Sequence, residues 1–267
     1  MNKPPLFICP PRTRSTYIML LTKKYMSEKF NMNFPRGHME FFGEFVEYSS
    51  DENRIKVVRD KTKSQMIPML VNNQVVMTGV YPHVFESLKD QNLYKINFLK
   101  HAKSKGIEVN VKCTHHISDN IDDVLDFYND RKIVLLKRKN SLDLILSYLF
   151  AKHIDLFVMR SARWSQLYDE HVSDRVLIKD YAQDIESLII QIKKLYDIDC
   201  ETIYYEDLDN EKDTLEIIGN IFEDDKWHTS LDRSVLPIRK DTDYSKVIIN
   251  YDEIVLVAQH LLDQYKI

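Results

Sequence analysis

Two stretches of this chain pass from an apolar run through a polar loop directly into a helical pattern, and they limit the fold more than any other feature. In KIVLLK, Lys132–Lys137, the apolar run Ile133–Leu136 is unbroken. A strand with no polar alternation is covered on both faces, which is the condition of a strand inside a parallel sheet. Asn140 then offers a helix N-cap, and Asp143 three residues on gives a capping-box-like start. The helical pattern that follows runs from Ser141 to about His171. The shorter run Leu6–Cys9 repeats the arrangement. It reads as a buried first strand, followed by the loop Pro10–Thr16 and a helix from Thr16 to about Phe30, with Ile18, Leu21 and Tyr25 at i, i+3 and i+7.

The rest of the chain extends this strand-and-helix alternation. Asn31–Gly43 is loop-like. Asn53–Gly79 mixes signals for short strands and a helix, broken at Pro68 and at Asn72-Asn73. Pro82–Lys105 reads as a helix stopped by Gly106, and IEVNVK, Ile107–Lys112, as a strand. Asp119–Asn129, Tyr181–Tyr196, Glu211–Phe222 and Tyr251–Tyr265 read as helices, and Thr202–Tyr205 as a short strand. Strands alternating with helices predict an α/β fold: a three-layer sandwich with a central, mainly parallel sheet flanked by helices. There is no internal repeat and no low-complexity linker, so residues 1–267 are read as a single domain.

Composition narrows the function. Lys and Arg total 37 against 41 Asp and Glu, a net charge of −4, whereas a general nucleic-acid binder carries a basic excess. No stretch approaches the roughly 18 apolar residues of a membrane span. The apolar run near the N-terminus covers only Leu6–Cys9, too short for a signal peptide, and a reducing cytoplasm is the expected location. Cys9, Cys113 and Cys200 lie far apart, without zinc-ligand or redox spacing, and are expected to be free thiols.

The loop Pro10–Thr16, PPRTRST from Pro10, leaves a strand at its carboxyl end and enters a helix. The first turn of a helix has free N–H groups and partial positive charge, so an anion fits there. Thr13, Ser15 and Thr16 add hydroxyl donors, and Arg12 and Arg14 add forked, charged donors. Capping alone needs one such residue; this loop has five. It is not a Walker A loop, which would read G-x-x-x-x-G-K-S/T, and the whole chain holds only 5 glycines. The second strand ends in Lys137-Arg138-Lys139. Ser147, two turns into the next helix, leans back toward that loop, so Arg138, Ser147 and the helix terminus can converge on a second anion. A basic turn with a packed small residue is the competing reading of that segment.

Two anion loops after two strands of one sheet suggest a ligand that is anionic at two ends. Here the sequence resembles the sulfotransferases. PRTRST, Pro11–Thr16, is similar to their 5′-phosphosulfate loop, commonly P-R-S-G-S/T-T. RKNSLDLILS, Arg138–Ser147, is similar to their 3′-phosphate motif, an arginine followed by a serine. The nine-residue spacing is closest to the bacterial trehalose-type enzymes. YYEDL, Tyr204–Leu208, resembles the family's Y-E-D-L after a late strand. The resemblance implies a P-loop-like sandwich and the cofactor 3′-phosphoadenosine 5′-phosphosulfate (PAPS), with adenosine 3′,5′-bisphosphate (PAP) as product. It also implies transfer of the sulfuryl group to an acceptor hydroxyl or amine, of a carbohydrate or a lipid. Arg12, Thr13, Arg14, Ser15, Thr16 and Tyr17 would then hold the phosphosulfate, and Arg138 and Ser147 the 3′-phosphate. Tyr205 would stack on adenine or reach a phosphate, and Arg239-Lys240 would close over the cofactor. Arg14 stands where the family has glycine. A left-handed backbone there would cost an arginine about 1 kcal/mol, so either the loop is shaped differently or Arg14 adds a contact.

Sulfuryl transfer builds charge on the leaving oxygen and releases the acceptor's proton. Arg12 is the candidate for the charge. For the proton, FPRGHMEFF, Phe34–Phe42, resembles the region in which the trehalose-type enzymes carry their catalytic glutamate, which points to Glu40. The competing base is His115 in VKCTHHIS, similar to the K-T-H pattern of the cytosolic animal enzymes, with His38 a third choice. Two other readings remain at this point: a nucleotide-dependent kinase of the same P-loop lineage, and a non-catalytic nucleotide-binding or scaffold protein. The acceptor and the oligomeric state are open.

Overall fold

Strand β1 (Leu6–Ile8) lies inside a sheet with a neighbour on each side. Lys112–Cys113 (β6) pairs with it on one side and Ile133–Lys137 (β7) on the other, and Glu201–Tyr204 (β8) pairs with β7. All of these pairings are parallel, and the order is β6-β1-β7-β8. The computed structural model describes residues 5–13, 15–30, 47–48, 55–56, 65–71, 74–80, 85, 87–107, 111–154, 169, 172–208, 211–224, 226–227 and 242–267. The expected α/β class with a parallel sheet between helices is what these residues form.

Alternation along the strands sends neighbouring side chains to opposite faces. Leu6, Ile8 and Leu135 pack with Cys113 against Ile96 and Leu99 of α2 (Leu88–Ser104) and Val124 of α3 (Ile121–Phe127). Phe7, Val134 and Leu136 pack on the other face, against Ile18 and Leu21 of α1 (Ser15–Phe30) and Ile218 and Ile221 of α6 (Glu211–Ile221). The unbroken run Ile133–Leu136 is thus explained: both of its faces meet apolar helices. A third apolar cluster joins α4 (Ser141–His153), α5 (Tyr181–Tyr196) and α8 (Tyr251–Tyr265), with the short α7 (Tyr244–Val247) beside it. Burial of each large aliphatic side chain contributes roughly 1.5–3 kcal/mol.

Several expected boundaries are corrected. Pro68 does not break its segment: β4 (Gln65–Val71) and β5 (Gln74–Val80) form an antiparallel hairpin in which Pro68 pairs with Met77. A two-stranded ribbon has two open edges, so a residue without an N–H is accommodated where it faces outward. Glu47–Tyr48 (β2) and Ile55–Lys56 (β3) make a second short ribbon. Helix α2 starts at Leu88 rather than Pro82, because Ser87 caps it: its Oγ accepts from the Asp90 N–H at 3.1 Å. The described part of β6 lies at Lys112–Cys113, later than the alternation at Ile107–Lys112 suggests, and a 3₁₀ turn, His115–Asn120, follows it. Helix α4 ends at His153 with its C-cap at Ile154, short of the predicted His171. Gly106 ends α2 as expected, at φ +74°, and Asn140 caps α4, its Oδ1 accepting from the Asp143 N–H at 3.1 Å.

One topological fact locates the site. From β1 the chain goes on to β6 on one side, whereas from β7 it goes on to β8 on the other. The connections leaving β1 and β7 therefore diverge, and the crevice at the carboxyl ends of these two strands is the switch point where open α/β sheets take ligands. Among the described residues no helix is long and apolar enough to cross a membrane.

Candidate functional site

The two polar loops singled out by sequence leave β1 and β7, the pair of strands that flanks the switch point. They meet there. Arg12 Nε donates to Ser147 Oγ at 2.8 Å, across 135 residues of sequence. Ser147 is 4% exposed, so its hydroxyl faces this crevice rather than bulk solvent. A buried hydroxyl that accepts from a guanidinium keeps its own proton to donate.

The first loop is shaped by two internal features. Thr13 is fully buried, and its hydroxyl donates to the Pro10 carbonyl at 2.7 Å, closing the turn. That donor is spent inside the loop. Arg12 carries the left-handed backbone, at φ +63°. An L-residue there costs about 1 kcal/mol, and such strain persists where the surrounding contacts hold it and where a side chain has to be aimed. The resemblance puts the glycine position at Arg14, two residues after this one. Arg14 is outside the described residues. Ser15 and Thr16 form the first turn of α1. Tyr17 is half-buried and packs against the apolar layer beneath α1.

The second loop is held from several directions. The Arg138 N–H donates to Tyr196 Oη at 3.4 Å, and the Lys137 ammonium donates to the Tyr196 carbonyl at 3.1 Å. Burial, ahead of any charge nearby, pushes the Tyr196 phenol up to about 12. The Arg138 guanidinium lies over the Tyr205 ring, 4.6 Å from its centre, and has Asp143 Oδ2 at 3.8 Å and Glu206 Oε1 at 4.0 Å. Its Nε is buried and donates no hydrogen bond. Glu206 also accepts from the Lys139 N–H, at 3.0 and 3.2 Å, and Asp207 takes the Lys139 ammonium at 2.7 Å. The turn Tyr205–Leu208 therefore fixes the basic loop, and Tyr205 gives one ring face to Arg138. The signal for this part of YYEDL was present in the sequence, but the pairing partners were not.

His115 begins the 3₁₀ turn after β6 and is 6% exposed. Its ring lies 3.9 Å from that of His116 and meets Tyr148 edge-on at 5.8 Å. Tyr148 is the neighbour of Ser147, so His115 stands at the same edge of the sheet as the Arg12–Ser147 contact. Glu40, His38, Arg239 and Lys240 lie outside the described residues. Sequence reasoning missed a polar face on α2. Gln91, Asn92 and Lys95 are 0–1% exposed, and the Asn92 amide N–H₂ donates to the His116 carbonyl at 2.8 Å. Their spacing, i, i+1 and i+4, marks one side of a helix, but nothing in the residue types said that this side was inward. Among the described residues no cluster of three or more His, Cys, Asp or Glu is placed to hold a metal. No family model and no curated protein matches this sequence.

Proposed function

We propose that this chain is a sulfotransferase with a P-loop-like sandwich, which moves the sulfuryl group of PAPS to an acceptor hydroxyl or amine of a carbohydrate or lipid. The observation that supports this most is the Arg12–Ser147 hydrogen bond at 2.8 Å. It joins residues of two motifs that the resemblance assigns to opposite ends of one doubly anionic cofactor, beside the switch point of a parallel sheet.

The chemistry follows from the residues. The S–O bond to the 5′-phosphate breaks as the bond from sulfur to the acceptor oxygen forms, so negative charge grows on the departing PAP. Arg12 meets that charge with a donor already oriented by Ser147, and a preorganised donor needs no rearrangement as charge builds. The acceptor's proton goes to a base, assigned to Glu40 with His115 as the alternative. His115 is buried among rings at the crevice edge. Arg138 takes the 3′-phosphate, competing with Asp143 and Glu206 for the same guanidinium.

The experiment is a calorimetric titration with PAP, ATP and adenosine 5′-phosphate. The proposal requires PAP to bind tightest, and to lose affinity in Arg138→Ala. ATP binding at least as tightly as PAP would favour the kinase reading; binding of PAP with no transfer to any sugar, lipid or amine acceptor would favour the non-catalytic one.

A further inference from the structure

Three consecutive basic residues close β7 and open the loop after it, and the structure sorts them. The Lys137 ammonium turns back onto the end of α5. It donates to the Tyr196 carbonyl at 3.1 Å and lies 4.8 Å from the centre of the Tyr196 ring. A cation at that place also meets the negative end of the helix dipole. The Lys139 ammonium goes to Asp207 at 2.7 Å and lies 5.3 Å from the centre of the Tyr204 ring. Arg138, between them, has carboxylate oxygens only at 3.8 and 4.0 Å. Its buried Nε donates no hydrogen bond among the described residues. Two of the three cations are thus held closely by the protein, and the third keeps donors to give.

The backbone of the same turn is engaged as well. The Arg138 N–H donates to the Tyr196 hydroxyl at 3.4 Å, and the Lys139 N–H to the two oxygens of Glu206 at 3.0 and 3.2 Å. Each peptide has one N–H to give, so an anion at this turn depends on the Arg138 side chain. The aim of that side chain depends in turn on the backbone that carries it. Pairing with β8 fixes the backbone of β7 as far as Lys137, which lies opposite Tyr204. Arg138 is one residue beyond the ladder. There Tyr196 takes over, holding Lys137 by its carbonyl and Arg138 by its hydroxyl. Tyr196 is the last residue of α5, and the fully buried Ile192 and Leu195 of the same helix fix its place. Burial pushes its phenol up to about 12, so the hydroxyl stays neutral and brings no negative charge to an anion site.

Building on the sulfotransferase reading, we infer that Tyr196 is a positioning residue for the 3′-phosphate: it anchors the end of β7 so that Arg138, and not Lys137 or Lys139, presents its charge to the cofactor. Its hydroxyl acts through Arg138 rather than on the cofactor itself. Holding the turn before the ligand arrives lowers the ordering cost of binding. The effect is confined to ligands that carry the 3′-phosphate. A nucleotide with a 5′-anion alone is gripped by the loop after β1 and gains nothing from Tyr196.

The test compares PAP with adenosine 5′-phosphate, which lacks only the 3′-phosphate. Calorimetry is run on wild type, Tyr196→Phe, Arg138→Ala and the double variant. Tyr196→Phe keeps the ring beside the Lys137 ammonium and removes one neutral hydrogen bond. That predicts about 3–10-fold weaker PAP binding, with adenosine 5′-phosphate within about twofold of wild type. A residue that acts through Arg138 adds nothing once Arg138 is gone, so the double variant should bind PAP as Arg138→Ala does. A merely structural residue would weaken both nucleotides alike. A second arm needs no variant: in wild-type protein the Arg138 N–H should be protected from hydrogen exchange before PAP is added. An unchanged preference for PAP in Tyr196→Phe, equal losses for both nucleotides, a further loss in the double variant, or an Arg138 N–H that exchanges freely until PAP binds overturns the inference. Failure of the wild type to prefer PAP over adenosine 5′-phosphate overturns the cofactor reading instead.

Discussion

Replacing Lys95 by Met keeps most of the side chain's volume and removes its charge, which makes the burial of that charge measurable as a pH effect. Lys95 falls from an ordinary 10.5 to about 8 in the folded chain, and desolvation is the cause. Below about pH 8 the folded and unfolded chains both carry the proton. Between about 8 and 10.5 the unfolded chain keeps it and the folded chain does not. The unfolded state then binds more protons, so the contribution of this group to stability rises with pH through that window and is level on either side. At about 1.4 kcal/mol for each pH unit, the full rise amounts to about 3 kcal/mol as an order of magnitude. Other groups titrate in the same range with the opposite sign. Burial raises the Cys113 thiol, and burial together with Asp224 raises the Tyr25 phenol to about 12. They are common to both proteins and cancel when wild type is compared with Lys95→Met. The assay is urea unfolding of the two proteins from pH 7 to 10.5 at fixed ionic strength, with equal denaturant slopes as the check that only stability has changed. Wild type should gain on Lys95→Met by up to about 3 kcal/mol. A flat difference, or one falling with pH, would refute the claim that a charge is buried at this position.

The remaining predictions concern the crevice. Arg12→Ala and Ser147→Ala should be non-additive in unfolding free energy, with a coupling of about 1.5–3 kcal/mol for a charge-assisted hydrogen bond; additive effects in the double mutant would dissolve the bridge between the first loop and α4. Glu206→Gln should raise PAP affinity several-fold, because it removes a competitor 4.0 Å from Arg138 while keeping an acceptor for the Lys139 N–H, and a weakened titration would contradict that role. Glu40→Gln should cut turnover by about 10²–10⁴-fold with PAP affinity retained, whereas His115→Asn should be mild; the reverse outcome would move the base to the histidine.

How much the sequence revealed depended on range. Ile133–Leu136, the Asn140 cap and the helix Tyr251–Tyr265 were legible because each is set by neighbours within a few positions. Pro68 misled because its tolerance depends on which edge of a ribbon it occupies, and that is decided by Met77 across the hairpin. The strand before the His115 turn includes the expected Lys112 and runs on to Cys113, because pairing with Phe7 and Ile8 defines the two described strand residues. At the site, the sequence supplied the residues of both motifs but not their contact, since Arg12 and Ser147 are 135 positions apart. Nothing local in the sequence marked Arg12 for the left-handed backbone that it carries in the turn closed by Thr13 onto Pro10. Lys95 was unreadable in advance: lysine on a helix is ordinarily a solvated residue, and only the packing of α2 against the His115–Asn120 turn makes it an interior one.

The central claim is that the loops after β1 and β7 grip the two ends of one cofactor, and a titration of PAP against wild type, Arg12→Ala and Arg138→Ala tests it most directly. Wild type should bind one PAP per chain more tightly than ATP. Each substitution should weaken that binding by about 10–100-fold, the loss expected for one charge-assisted contact. Equal affinities in all three proteins, or a preference for ATP, would contradict the account.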